Sequence, residues 1–382
     1  MAHLTTHDEL RDRILTLAGI EESPTPFVSC YLNLKDGEKS LLQTIEVRAK
    51  LLRRVLKGRD LEDFEQSIGA IKSYVKSELL PEAEGLAFFA RSSKANEFYM
   101  PLQFAVPLPN TLRVYPTPNI YNLVELKDTY ERYLVMIATT EWVRIIEVNL
   151  GAATVQAWSE NPSLRQRVGQ EWSETKYQLF RYHRENRYLQ EKITTLEKLM
   201  CNGDHSHLIL AGEPQITARI REALPPHLSA KLMDIIPASR RDIDSDIVTA
   251  TLSIFVEQEE HESQSIAERL IQAVRTQGPA VIGAKDCLYN LQQGKVDTLV
   301  MLQDYDPDPG WICSTCNKMG EQTPEAELCP HCLSSSVRPT DLREELVRQA
   351  GKKDCPVEVV EYSENLMELG GVGCLLRFQE GL

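Results

Sequence analysis

The stretch VIGAKDCLYNLQQGKVDTLVML, Val281–Leu302, sets the architecture of the C-terminal third of the chain. It predicts a turn, a helix, a second turn at Gly294 and then a strand. Farther along, Asp341–Ala350 is predicted to be a helix, and Val357–Val360 and the closing run GGVGCLLRF are predicted to be strands. Helices and strands that alternate in this way predict a small α/β sandwich.

Four cysteines with paired spacing interrupt this sandwich. Cys313 and Cys316 form one C-x-x-C pair, and Cys329 and Cys332 form a second pair after twelve intervening residues. Each pair predicts a tight knuckle whose thiolates take adjacent corners of a tetrahedron, and four cysteines leave no open ligand position. We therefore predict a structural zinc ion in a zinc ribbon at residues 311–335. Four unpaired thiols in a loop are the alternative.

The composition favours a protein of the reducing cytoplasm. Nine cysteines are an odd number without disulfide-type spacing, and the start MAHLTTHDELRD lacks the apolar segment that directs export. No later run approaches the roughly 18 apolar residues that span a bilayer. We therefore expect a soluble protein with no membrane contact. Outside the paired motif, cysteine is expected mostly to act as a small apolar residue, at Cys30, Cys201, Cys287, Cys355 and Cys374.

The length of the chain, 382 residues, and its proline-rich connector predict three domains in a mixed α/β (α+β) protein. The expected parts are an N-terminal α+β domain (1–128), a middle mixed α/β sheet domain (129–260) and a C-terminal α/β sandwich with the zinc ribbon (261–382). In the first domain, Phe27–Leu34 is predicted to be a strand and Lys39–Lys57 an amphipathic helix. The predicted core side of that helix carries Leu41, Ile45, Ala49, Leu52 and Val55.

Strand and helix patterns continue through the first two domains. Two strands are predicted at Gly85–Arg91 and Glu97–Phe104, and the four prolines that follow predict an extended connector. The middle domain is predicted to open with three strands and to continue with a long helix at Ser173–Leu199. The run HLILAG, a helix at Pro214–Leu224 and a strand at Leu232–Ile236 then predict a βαβ-type unit.

A basic segment reverses the charge of the chain in the middle domain. The formal net charge of the protein is −14, which argues against a surface that coats nucleic acid throughout, yet Leu164–Lys198 carries eight Lys and Arg against five Glu. Aromatic residues interleave with these cations, a combination that suits RNA. A solvated helix whose aromatics pack on the sheet is the alternative. The candidate RNA-binding residues are Arg165, Arg167, Lys176, Arg181, Arg184 and Arg187.

The rest of the sequence offers few signs of a binding or catalytic site. A second basic face lies on Lys39–Lys57, where an ordinary solvated face is the favoured interpretation. The sequence contains no G-x-G-x-x-G after a strand, no P-loop, no H-E-x-x-H and no G-x-S-x-G. From these motifs alone an enzyme is not indicated.

The order of these segments resembles a family of translation proteins. PFVSCYLNL, YLVMIATTEWVRIIEVNLG, HLILAGEPQITARIREAL and the C-terminal stretches quoted above are similar to archaeal and eukaryotic class-1 release factors and to Pelota. The similarity is closer to the bacterial archaeo-eukaryotic release factor families. It implies a C-terminal domain with the fold of kink-turn-binding ribosomal proteins, carrying a zinc insertion.

The resemblance also implies a functional loop in the middle domain, and here the sequence departs from the pattern. Release factors carry Gly-Gly-Gln at this tip, where it helps water attack peptidyl-tRNA, whereas this chain has Val168-Gly169-Gln170. A β-branched Val does not readily adopt φ > 0. We therefore expect little hydrolysis, with Gly169 and Gln170 as candidate tip residues. The stop-codon motif Asn-Ile-Lys-Ser is absent, so stop-codon reading is not expected.

These features imply a protein that enters the ribosomal A site for a purpose other than termination. Ribosome hibernation or stress protection is the leading hypothesis. Codon-independent rescue by peptidyl-tRNA hydrolysis is the second, and an RNA- or tRNA-binding adaptor is the third. The implied partners are rRNA, tRNA and a translational GTPase such as elongation factor Tu.

Overall fold

A computed structural model describes residues 3–23, 25–93, 96–160, 174–203, 205–239, 244–316, 318–320 and 328–378. It confirms the mixed α+β fold. The chain forms two compact units, a central unit of Tyr130–Gln258 and a split unit that combines Met1–Thr129 with Glu259–Leu382. The division into three domains stays a prediction, because compactness does not test which parts fold alone. Among the described residues, no helix combines the length and apolar character needed to cross a bilayer.

The N-terminal part of the split unit is an antiparallel sheet covered by two helices. Its strands lie in the order β3-β2-β1-β4, and α2 and α3 bury an aliphatic core against one face. Sequence patterns predicted α1, from the helical pattern of Asp8–Leu17, together with β1, α2, β2 and β3. They did not predict α3, β4 or α4. The elements are α1 (His7–Gly19), β1 (Phe27–Asn33), α2 (Glu38–Leu52), α3 (Arg59–Ser77), β2 (Gly85–Ser93), β3 (Asn96–Phe104), β4 (Thr111–Tyr115) and α4 (Tyr121–Thr129).

Helix α2 ends earlier than predicted, which overturns one core assignment. The helix stops at Leu52, and the backbone then turns, with the Val55 N–H donating to the Leu52 carbonyl at 3.0 Å. Gly58, with φ 57°, leads into α3. Because the chain leaves the helical path there, Val55 is 77% exposed, and its predicted place in the core is wrong. Leu41, Ile45 and Ala49 are buried as predicted, and Leu52 is partly buried.

The central unit is a five-stranded sheet between helical layers. The strand order is β7-β6-β5-β8-β9, with β5, β8 and β9 parallel. Helices α5 and α6 bury one face, and residues 247–255 of α8 bury the other. The elements are β5 (Tyr133–Ala138), β6 (Trp142–Asn149), β7 (Ala152–Glu160), α5 (Glu174–Asn202), β8 (His207–Gly212), α6 (Pro214–Ala223), α7 (Pro226–Ser229), β9 (Leu232–Pro237) and α8 (Asp244–Arg275).

The C-terminal part of the split unit is the expected α/β arrangement with an inserted ribbon. The main sheet has the order β10-β16-β11-β15, and the insertion forms a small sheet, β13-β12-β14. The elements are β10 (Ala280–Ile282), α9 (Ala284–Gln293), β11 (Val296–Leu302), β12 (Gly310–Cys313), β13 (Met319–Gly320), β14 (Val337–Thr340), α10 (Leu342–Lys352), β15 (Val357–Val360), α11 (Glu364–Glu368) and β16 (Val372–Leu376).

Carboxylates join the two parts of the split unit around α4. The Glu344 carboxyl on α10 accepts from the Ile120 N–H at 2.8 Å and from the Tyr121 N–H at 3.3 Å, at the start of α4. At the end of α4, Asp128 accepts from the Val359 N–H at 2.7 Å. Burial, and secondarily Asp341, raises the pKa of Glu344 to about 8 despite these N–H groups. The side chain is therefore predominantly protonated near pH 7.

Candidate metal centre and basic surfaces

The two cysteine knuckles are shaped by backbone hydrogen bonds that follow from their spacing. Cys313 ends β12, and its N–H donates to the Lys318 carbonyl at 2.9 Å, which closes the first knuckle. In the second knuckle, the Cys329 N–H donates to the Ser334 carbonyl at 2.8 Å. Each closure turns two thiols towards the same point, so the structure brings together all four cysteines predicted as metal ligands.

The sulfur atoms have the separations of a tetrahedral site. The Sγ atoms of Cys313 and Cys332 are 3.5 Å apart, and those of Cys316 and Cys329 are 3.6 Å apart. All four lie within 4.8 Å of one another. A metal with sulfur ligands at about 2.3 Å would place them about 3.8 Å apart, whereas a disulfide needs about 2.05 Å. The cluster therefore fits one four-coordinate metal ion rather than two disulfides.

The surroundings of the cluster act in opposite directions on its thiols. Cys313 and Cys329 are buried, and Trp311 packs against them. Burial raises the pKa of the Cys313 thiol, but N–H groups of Cys316 and Thr315 outweigh it and lower the pKa to about 6. At Cys332 the Ser334 N–H lowers the pKa, but burial and the three neighbouring thiols outweigh it and raise the pKa to about 12. A bound cation would offset this effect of the neighbouring thiols and favour the thiolate form of all four cysteines. His331 is exposed between two of the cysteines, as expected for a spacer.

Outside the ribbon, the cysteines mostly behave as apolar residues. Cys30, Cys287, Cys355 and Cys374 are buried, whereas Cys201 is exposed near the end of α5. Burial raises the pKa of Cys30 to about 12 and that of Cys355 to about 11. These two thiols therefore stay protonated and unreactive at neutral pH.

Helix α5 carries the basic face, but only part of it is described. Arg181, Arg184 and Arg187 lie three residues apart along the helix, and Arg187 is exposed. The side chains of Arg181, Arg184 and Lys176 lie outside the described part of the structure. So do Arg165, Arg167, Val168, Gly169 and Gln170, which fall between the end of β7 and the start of α5.

One aromatic residue of the basic segment packs against the core of the central unit, as the alternative of a solvated helix predicts. Tyr188 is half-buried against the core of the central unit, and its hydroxyl donates to the Ser159 carbonyl at 2.8 Å. The Lys192 ammonium lies 5.2 Å from the centre of its ring. Tyr188 therefore anchors α5 to β7.

A second basic surface lies where α2 turns into α3. Arg53 pairs with Glu46 and with Glu65, and Lys72 also pairs with Glu46. These contacts connect the two helices. Other cations of this corner are exposed, namely Arg48, Lys50, Arg54 and Lys57.

Three exposed aliphatic residues lie on α2 and in the turn that follows it. Sequence patterns did not identify them as a surface feature. Val47, Leu51 and Val55 are each more than half exposed. Val47 and Leu51 are one helical turn apart and lie outside the apolar stripe of the core, which is a signal that could have revealed them.

The central part of the chain is similar to a family of release-factor-like proteins. Residues 118–255, about a third of the chain, match the family model described as bacterial archaeo-eukaryotic release factor family 10. The match starts just before α4 and covers almost all of the central unit. The predicted resemblance is thus confirmed for this part of the chain.

Solved structures of archaeal and yeast translation proteins are similar to the chain over most of its length. Archaeal Pelota, in a model of ribosome-bound Pelota and ABCE1, is 14% identical, with 99% of this chain and 96% of that chain covered and a TM-score of 0.43. S. cerevisiae Dom34 is 8% identical, covering 98% and 94%, at 0.42. Archaeal termination factor aRF1 is 16% identical, covering 98% and 99%, at 0.27. No curated protein sequence matches the chain.

Proposed function

We propose that this protein binds the ribosome in the cytoplasm, occupies the A site and protects idle ribosomes during hibernation or stress. The match of residues 118–255 to a release factor family carries this proposal, because it covers the central unit that would enter the site. The altered tip, Val168-Gly169-Gln170, separates the proposed role from termination. Occupation without hydrolysis is a binding function, so we propose that the protein is not an enzyme.

The basic residues would supply contacts to rRNA and tRNA. Arg187 is exposed on α5, and Arg181 and Arg184 precede it at helical spacing. Cations on one helix face can contact successive phosphates, and such contacts release counterions. Arg165 and Arg167 would extend this set on the segment that carries the tip. The acidic remainder of the chain limits RNA binding to such local faces.

The cysteine cluster would hold one structural zinc ion. Sulfur separations of 3.5 and 3.6 Å and four thiol ligands fit a closed tetrahedral site. Zinc would link the two knuckles and fix the position of β12 relative to β14. We further propose that the C-terminal part faces a translational GTPase, with elongation factor Tu as the expected partner. This last step rests on the family resemblance.

Rescue of stalled ribosomes is the second candidate, and the retained Gly169 and Gln170 favour it. The two functions predict different outcomes in a direct test. A hibernation factor should sediment with vacant 70S particles from starved cells and should release no peptide from a loaded ribosome. A rescue factor should release peptide without a stop codon. Absence of the protein from every ribosomal fraction would contradict both functions and leave the adaptor.

A single substitution at the tip can distinguish hibernation from rescue. We expect Gln170→Ala to leave 70S binding nearly unchanged, because occupation depends on shape and phosphate contacts. If the protein hydrolyses peptidyl-tRNA, the same change should slow peptide release by about 10²-fold, the usual contribution of a positioning group. Release of labelled peptide from stalled ribosomes measures this effect. Gln190→Ala, at an exposed position of α5, is the matched control.

Restoring the Gly-Gly-Gln motif of release factors gives the complementary test. Val168→Gly would return the backbone freedom that a β-branched residue removes. A gain of peptide release would identify Val168 as the residue that silences the chemistry. Robust release by the unaltered protein, abolished by Gln170→Ala, would contradict our proposal and establish rescue.

A further inference from the structure

The outward face of α2 is apolar at its centre. Val47 and Leu51 are 57% and 59% exposed, and Val55, one turn beyond, is 77% exposed. Successive α-helical residues are about 100° apart, so Val47 and Leu51 lie nearly opposite the buried stripe that contains Ile45 and Ala49. Large aliphatic side chains in this position contribute nothing to the core of the split unit. Their arrangement is that of a contact surface rather than of scattered exposed residues.

Cations flank the apolar ridge on both sides. By the same helical spacing, Arg48 lies on one side of Val47 and Leu51, and Lys50 lies on the other. Arg54 continues the row beyond the end of α2, followed by Lys57. The surface therefore has an apolar centre and a positively charged border.

These cations form no ion pair with the residues that the structure describes. Two of the nearby carboxylates are already engaged, since Glu46 pairs with Arg53 and Lys72, and Glu65 pairs with Arg53. Within the described ranges, no ion pair or hydrogen bond involves the side chains of Arg48, Lys50, Arg54 or Lys57. In a chain with a formal charge of −14, a cluster of unpaired cations indicates an acidic partner.

The pattern distinguishes a protein partner from a nucleic acid. Residues 38–59 contain no aromatic residue, so a base has no ring on which to stack. Phosphates also gain nothing from valine and leucine at the centre of the surface. A helix with an aliphatic ridge bordered by Glu or Asp matches both the centre and the border.

We propose that the outward face of α2 and the turn to Val55 form a docking surface for an acidic amphipathic helix of a partner protein. Val47 and Leu51 lie about 6 Å apart along α2, and the turn after Leu52 carries Val55 beyond them, so a partner segment of a few helical turns would cover the surface. The apolar ridge would supply most of the binding free energy, and the border would set the orientation and the association rate. This proposal does not depend on the function of the central unit.

The test uses the full-length protein and a synthetic helix of about 20 residues, long enough to hold helical structure. The labelled peptide carries leucine every third or fourth residue, flanked by glutamate. A scrambled peptide of the same composition and a 20-nucleotide RNA serve as comparison probes, and fluorescence anisotropy measures binding. The variants are Val47→Ser with Leu51→Ser, and Lys50→Glu with Arg54→Glu. Val155→Ser, at a position that is 50% exposed on β7, is the control.

We expect the amphipathic peptide to bind and the scrambled peptide to bind at least about tenfold more weakly. The Val47→Ser, Leu51→Ser protein should lose at least about tenfold in affinity, because two apolar contacts are removed. The control should bind normally, and all proteins should unfold at similar temperatures. Failure of the peptide to bind, equal binding of both peptides, or full binding by the serine variant would overturn the proposal. RNA binding that depends only on Lys50 and Arg54 would reassign the surface to nucleic acid.

Discussion

The four-cysteine ribbon and helix α5 both stand out in the sequence, but they depend on structure in different ways. In the ribbon, four ligands fall within twenty residues, and local backbone turns bring their sulfur atoms to tetrahedral separations. On α5, the arginines recur at every third position, and the contact with RNA that we propose for them would depend on a partner surface outside the chain. A closed site can therefore be predicted from spacing alone. An open surface can be predicted only as a pattern of charge.

The two regions also differ in how much they contribute to the stability of the fold. The cysteine cluster is part of a small core with Trp311, so loss of a ligand should affect folding. Arg187 is exposed, so its replacement should affect binding and leave the fold intact. Substitutions in the two regions should consequently produce effects of different kind and size.

The largest effect is expected at the ribbon. Cys329→Ser removes a buried ligand, and structural zinc sites contribute on the order of 10 kcal/mol of apparent binding free energy. We expect the zinc content to fall from about one ion per chain to nearly none and the ribbon to lose protection from hydrogen exchange. Elemental analysis and exchange mass spectrometry measure the two results.

Cys201→Ser is the matched control for this experiment, because Cys201 is exposed and lies outside the cluster. It should retain zinc, and the central unit should keep its exchange protection in both variants. Purified unaltered protein without zinc, in samples never treated with a chelator, would contradict the predicted metal site.

A smaller effect is expected on α5. Changing Arg181, Arg184 and Arg187 together to Glu should weaken ribosome binding and flatten its dependence on salt, since each lost phosphate contact lowers the slope by about one. Binding to 70S particles at several salt concentrations gives this slope. Arg221→Glu, at an exposed position of α6, is the control. An unchanged slope would identify α5 as an ordinary solvated helix.

The smallest of these effects is a pH dependence of stability at the junction between α4 and α10. There the Glu344 carboxyl is buried and contacts residues that are distant in the sequence. Because the pKa of Glu344 is raised to about 8, the folded protein holds a proton that the unfolded chain releases near pH 4.5. Stability should therefore decrease as the pH rises from about 5 to 8, by no more than a few kcal/mol. Glu344→Gln should remove part of this decrease, because an amide does not ionise.

Thermal unfolding at pH 5, 7 and 9 tests this prediction. The difference in unfolding temperature between Glu344→Gln and the unaltered protein should shift in favour of the variant as the pH rises. Glu222→Gln, on the exposed side of α6, should show no such trend. A constant difference across this range would mean that Glu344 does not take up a proton on folding.

The elements that sequence patterns missed differ in how predictable they were. Helix α3 carries a clear signal, since Phe64, Ile68, Ile71 and Val75 recur at helical spacing and are all buried. It could have been predicted. Strand β4 and helix α4 lie among prolines that suggested a connector, and β4 becomes a strand by pairing with β1. Such pairing joins distant residues, and no local pattern encodes it.

By itself the sequence determined the ribbon, the alternation of helices and strands, the charge reversal on α5 and the altered tip. These features depend on residues that are near one another in the chain, where spacing and side-chain type set the local geometry. Only the tertiary structure decided that Val55 is exposed, that the Glu344 carboxyl accepts from the Ile120 N–H across 224 positions, and that Val47 and Leu51 lie on the exposed side of α2. Burial and long-range contacts depend on how the elements pack together, and the packing of one element is fixed by all its neighbours.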